Sequence, residues 1–274
     1  MKYWVILSFV FIISCSSLNS IDSFFKQGNL FSNTKSQNEV LLKDATVSEQ
    51  YGDYKRAIDL YNKLIMVHPG EIRYLLGRAN NLRLNKQCEE ALMDYDTILT
   101  KVEGQSKEWL DIEEGRGLCY MQQGDFDSAL DSFKRVIVED ATRWKIINAI
   151  GVIFALTNHD SEAIEYYNLA ISIEPNYIIF NNLGLTQALN NKIPEAIESL
   201  GKALEYTENN KFVKKNIALN LALVYGLSGQ THKAEEISKP FLSEEQLNHN
   251  IQIYESIAKD KGLAKSYIDR ALKP

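Results

Sequence analysis

Three thiols, four imidazoles and a scatter of asparagines are the side chains of this 274-residue chain that could do chemistry or read a partner. Cys88 and Cys119 lie in helical patterns on successive hairpins. In a stack those helices are neighbours, which permits either a bond in an oxidising compartment or two separately buried thiols. His68, His159, His232 and His249 fall mostly at turns, and none has a partner at the i+4 spacing that sets two metal ligands on one helical face. They also supply no nucleophile–base pair. The acid pairs Glu89-Glu90 and Glu235-Glu236 open helices, where carboxylates suit the positive end of the dipole. No glycine-rich phosphate loop is present. The chain therefore reads as non-catalytic, with no metal and no cofactor beyond a covalent lipid. The asparagines point elsewhere: each amide carries two N–H donors and a carbonyl acceptor, so spaced amides can bond the backbone of an extended peptide.

The elements that would position these side chains are marked by six alanines, Ala57, Ala91, Ala129, Ala163, Ala196 and Ala234, at intervals of 34, 38, 34, 33 and 38 residues. In the clearest unit Gly117 sits where a first helix must approach a second, and Tyr120 fills behind it. Gly124 opens the turn, and Ala129, Phe133 and Val136 form the second helix's inner stripe. Gly151, Phe154, Ala163, Tyr167, Ala170 and Pro175 repeat that grammar, as do Gly184, Ala196, Leu200 and Ala203; upstream, Gly52, Tyr54, Ala57, Tyr61, Leu64 and Pro69 make half a unit. This resembles the tetratricopeptide repeat, two antiparallel helices per unit of about 34 residues. The implied fold is all-α, a right-handed superhelical solenoid of about six helix-turn-helix units with C-terminal capping helices. The units are read at about 38–71, 72–105, 110–143, 144–176, 177–210 and 215–242, within a repeat region of 38–242. The two long intervals fall at Thr100–Asp111 and Tyr206–Lys215, as an extended loop or a lengthened helix end. Residues 243–274 are read as capping helices, the first opened by a reciprocal cap at Ser243-Glu244-Glu245-Gln246 and the second around Leu263–Leu272.

Met1-Lys2, the apolar run Tyr3–Ile13 and Ser14-Cys15 have the three parts of a secretory signal, read as 1–14. A run of about eleven residues is too short for a spanning helix, which needs about twenty. Ile12-Ile13-Ser14-Cys15 resembles a bacterial lipobox, in which Cys15 becomes the acylated N-terminus; several acyl chains, at about 0.8 kcal/mol per buried CH2, anchor a protein firmly. The alternative is a hydrophobic N-terminal helix with an incidental cysteine. Ser16 after the cysteine implies, by the same resemblance, the outer membrane facing the periplasm. Residues 15–37, rich in Ser and Asn with Phe24-Phe25 and Leu30-Phe31, are read as a flexible tether reaching roughly 25 Å. Thirty basic and 36 acidic side chains leave a net charge of −6. The densest basic cluster, Lys211 with Lys214 and Lys215, is too small for a nucleic-acid footprint.

The strings Arg143–Gly151, Asn181–Leu189 and Lys215–Leu223, with a Gly229 turn into Ala234-Glu235, resemble the C-terminal portion of the TadD family, repeat lipoproteins of the tight-adherence (Flp) pilus apparatus. The resemblance covers roughly Gly115–Ser238, with Gln187 standing where an apolar residue is expected. It implies a non-catalytic adaptor that helps to assemble or localise a type IV-related pilus, with a secretin or another pilus component as partner. In such repeats the first helices line a concave face. The register of the alanines assigns to it Lys145, Asn148, Val152 and Leu156, then Asn181, Asn182, Leu185 and Leu189, then Asn216, Asn220 and Leu223. These residues would grip an extended segment of a partner protein. Alanine at Asn182 and Asn220 would then weaken capture with little change in thermal unfolding. Two other readings stand beside this one: a general outer-membrane biogenesis adaptor, and a cytosolic co-chaperone if the N-terminal signal is not real.

Overall fold

A computed structural model of the protein describes residues 34–208, 210–260, 262, 263, 266 and 267. The signal, Cys15, the tether as far as residue 33 and most of the helix expected around Leu263–Leu272 lie outside the described residues. Those residues form α-helices and no strand. In chain order they are α1 Thr34–Gln50, α2 Tyr54–Val67, α3 Ile72–Leu84, α4 Cys88–Leu99, α5 Lys107–Gln123 and α6 Phe126–Glu139. There follow α7 Trp144–Leu156, α8 Asp160–Ile173, α9 Tyr177–Leu189, α10 Ile193–Glu205, α11 Lys211–Leu227, α12 Thr231–Ser238 and α13 Glu244–Lys259. Two compact units divide between Ala141 and Thr142: α1–α6 form the N-terminal one and α7–α13 the C-terminal one. α1 begins at Thr34, inside the stretch read from composition as tether.

One turn, used six times, makes the hairpins. Five residues before each repeated alanine stands a residue in the left-handed region: Gly52, Lys86, Gly124, Asn158, Asn191 and Gly229, with φ between 56° and 79°. The N–H of the next residue then reaches back to the carbonyl five positions earlier. Examples are Asp53 to Ser48 at 2.9 Å, Gln87 to Leu82 at 2.8 Å and Asp125 to Tyr120 at 2.9 Å. This is the six-to-one closure that satisfies an orphan carbonyl at a helix C-terminus. The residue that closes one helix also caps the next, and Asp53 and Asp125 do so with their side chains, accepting from Arg56 N and Ser128 N. So short a connection forces the two helices antiparallel.

Close helix approach is set by glycines. A methyl group at Gly117 would overlap the Phe133 ring. At Gly151 it would lie 2.7 Å from Tyr167 Cε1, and at Gly184 2.7 Å from Leu200 Cγ. Each pair is sixteen residues apart, first helix to second. A second set crosses from one hairpin to the next: a methyl at Gly77 would overlap the Tyr61 ring, and at Gly115 it would meet Tyr95 Cζ at 2.5 Å. The core follows the same crossings. Leu42, Ala45, Leu60, Tyr61, Leu64 and Tyr74 join α1–α3, while Ile58, Leu75, Tyr95, Ile98, Ile112 and Cys119 belong to a cluster spanning α2–α5. Neighbouring hairpins thus bury what a lone one would expose.

The two long intervals resolve into longer first helices. α5 and α11 have 17 residues each, against 13 in α7 and α9. Early caps cause this: Ser106 Oγ accepts from Trp109 N at 3.1 Å and Asn210 Oδ1 from Val213 N at 3.2 Å. Before α5 the linker is lengthened as well. At the far end Ser243 and Gln246 exchange both bonds of a capping box. α13 then packs on α11 and α12 and seats Tyr254 with Ala222 and Ala234.

Candidate protein-binding site

The asparagines project from α7, α9 and α11, first helices of successive hairpins, and α9 lies between and against the other two. Four of the five amides form one chain. Asn220 Nδ2 donates to Asn181 Oδ1 at 2.8 Å, Asn181 Nδ2 to Asn182 Oδ1 at 3.4 Å, and Asn182 Nδ2 to Asn148 Oδ1 at 3.1 Å. The ladder exists, but its rungs bond one another across the three helices.

Burial corrects the groove assignment further. Asn148, Asn182 and Asn220 are only 5%, 4% and 8% exposed, and Val152, Leu185 and Leu223 are buried with them. Each of those three apolar residues follows the small residue of its helix, Gly151, Gly184 or Ala222. The close crossing that needs a small residue also covers its neighbour, so all three are core. Lys145 and Leu156 on α7, with Asn181 and Leu189 on α9, remain half-buried and touchable. Asn216 on α11 is the exception among the amides: it is 6% exposed, and neither its nitrogen nor its oxygen has a hydrogen-bond partner. A buried polar group left so costs about 1–3 kcal/mol.

Gln187 is answered within the fold, its Oε1 accepting from Ser199 Oγ on α10 at 2.7 Å. Tyr167, fully buried behind Gly151, has its phenol pushed above the ordinary range, first by that burial. Among the described residues no three His, Cys, Asp or Glu side chains gather as metal ligands. His68, capping the end of α2, meets Asn38 on α1 at 2.9 Å, and His159 meets Thr157 in its own turn at 3.1 Å. Cys88 and Cys119 are free and buried, and they share one apolar cluster rather than lying in separate ones.

The N-terminal unit holds polar clusters that reading the sequence did not single out. Arg78 grips Asp94 with two bonds of 2.8 and 2.6 Å and donates a third to Asn62. Buried Glu113 accepts from Arg116 and Arg135. Arg78 and Asp94 are sixteen residues apart, the spacing of Gly117 and Phe133, so the repeat register carried the signal for that pair.

Two tetratricopeptide-repeat family models match the chain, at residues 145–177 and 115–141. Among solved structures, the C-terminal part of a TPR repeat-containing protein from Cytophaga hutchinsonii is similar with a TM-score of 0.59 at 22% identity, covering 85% of this chain and 95% of that one. Likeness at that identity speaks for the fold alone. The general transcriptional corepressor ssn6 of Schizosaccharomyces pombe is 25% identical over 141 residues, which is 51% of this chain and 12% of that protein. The peroxisomal targeting signal receptor of Eremothecium gossypii is 26% identical over 114 residues, 40% of this chain. The match spans 18% of the receptor, so in both cases it covers a small part of the relative's length. The chain carries tetratricopeptide repeats in an all-α fold of stacked helical hairpins, the architecture of a protein-interaction scaffold.

Proposed function

We infer that this protein is a non-catalytic adaptor that holds an extended segment of a partner protein along the first helices of its C-terminal unit. The observation that carries the reading is the half-open row of Lys145, Leu156, Asn181 and Leu189, backed by an amide chain that ties α7, α9 and α11 together. Lysine and leucine on α7, with asparagine and leucine on α9, offer a charge, an amide and apolar contact on two adjoining first helices. The buried, unspent amide of Asn216 lies one turn before Asn220, which bonds Asn181. Likeness to a receptor for a targeting signal adds support for recognition of a short segment.

The finer reading rests on the N-terminal sequence and the resemblance of residues 115–238. Cys15 carries the lipid, the repeats stand at the outer membrane facing the periplasm, and the partner is a secretin or another component of a tight-adherence pilus. Photocrosslinking amino acids at Lys145 and Leu189, with Glu198 on α10 as control, test this in intact cells. Capture of one protein from the first two positions and not the third is the expected result. Equal capture from all three would remove the site, and a captured protein unrelated to secretion would remove the pilus. A Cys15→Ser chain that still labels with lipid and sediments with membranes would remove the anchor.

A further inference from the structure

Cys88 opens α4 and Cys119 lies in α5, so the two thiols belong to adjoining helices of successive hairpins in the N-terminal unit. The Cys88 Sγ donates to Gln122 Oε1 at 3.0 Å. Gln122 stands three residues after Cys119 and shares its helical face, so the Cys88 sulfur is aimed at the face that bears the other thiol. Both belong to one apolar cluster with Ala91, Tyr95 and Ile112. The hydrogen bond from Cys119 holds the Cys88 thiol below its usual range against burial; Arg83 assists and Glu90 opposes. The same bond, with burial, pushes the Cys119 thiol up. Cys88, at the N-terminus of α4 and 5% exposed against 0% for Cys119, is the sulfur placed to attack, with Cys119 to resolve.

We propose that Cys88 and Cys119 are a disulfide site that staples the second helix of one repeat to the first helix of the next. The oxidant is a low-molecular-weight disulfide. The Cys88 thiolate attacks one of its sulfurs and displaces a first thiolate, leaving a mixed disulfide on Cys88. Cys119 gives its proton to water and attacks the Cys88 sulfur, displacing the second thiolate. The protein loses two electrons and two protons, and the oxidant becomes two thiols. The closed loop spans about thirty residues, long enough for the constraint on the unfolded chain to be substantial. Because both thiols already share the cluster at the α4–α5 boundary, the bond fixes that packing as it stands.

The test uses the full chain with Cys15→Ser, which leaves only these two thiols. The folded protein is held in excess oxidised glutathione, alkylated, and read by intact mass and peptide mapping. Expected are the loss of two hydrogens and one linked peptide pair containing Cys88 and Cys119. The unfolding midpoint should rise by roughly 5–10 °C, reversibly with dithiothreitol. The Cys119→Ser form should stop at a single glutathione adduct on Cys88. Two alkylatable thiols in the folded chain, under conditions that oxidise the urea-unfolded chain, would overturn the proposal. So would a link between molecules, or an internal bond that lowers the midpoint. Neither lipid nor partner enters the measurement, so it stands or falls apart from the adaptor reading.

Discussion

Asn148 and Asn182 were expected to be spent on a partner; the structure spends them on each other, and a double-mutant cycle separates the two cases. Asn182→Ala removes a 3.1 Å amide bond worth about 1 kcal/mol and strands the buried Asn148 acceptor, a further 1–3 kcal/mol. The single change should therefore cost about 2–4 kcal/mol, and Asn148→Ala, which strands the Asn182 donor, about the same. The double replacement loses the bond once and strands neither partner of it, so its cost should fall short of the sum by about 3 kcal/mol or more. In urea, with a slope of about 2 kcal/mol per molar, each single variant should unfold about 1–2 M earlier at unchanged slope. If both side chains faced solvent and a partner, each single change would stay within about 0.5 kcal/mol and the pair would add. That outcome would refute the amide chain and restore the expectation that Asn182 can be replaced without loss of stability.

The shared turn and the glycine crossings make two further claims. Lys86 occupies the left-handed position that glycine fills in three sister turns, so Lys86→Gly should raise the stability of the N-terminal unit by about 0.5–1 kcal/mol in urea unfolding. Gly151→Ala, which meets Tyr167 at 2.7 Å and the Ala163 carbonyl at 3.3 Å, should cost about 1–3 kcal/mol. Gly201→Ala in α10, with nothing within 4 Å, should gain about 0.5–1 kcal/mol by calorimetry; equal effects at the two sites would refute the crossing geometry.

Much of this molecule is local, and local structure is written in one strand of residues. The alanine spacing, the Gly124 and Gly229 turns and the Ser243–Gln246 cap each depend on residues within a few positions of one another. A reader of the sequence could therefore place the hairpins from period and type alone. Even the caps that lengthen α5 and α11, Ser106 and Asn210, are short-range signals, though one of several polar residues in each linker had to be chosen.

Which side chains face outward was decided by packing. Val152, Leu185 and Leu223 fit the periodicity of a binding face, yet the glycine or alanine before each lets helices close over them. Asn182 and Asn220 look free until α7, α9 and α11 are laid side by side, when their amides find Asn148 and Asn181, 34 and 39 residues away. The meeting of Cys88 with Cys119, and of Arg78 with Asp94, is likewise a property of the stack. Periodicity says which face of a helix is apolar or polar; only the neighbours say whether that face is left uncovered.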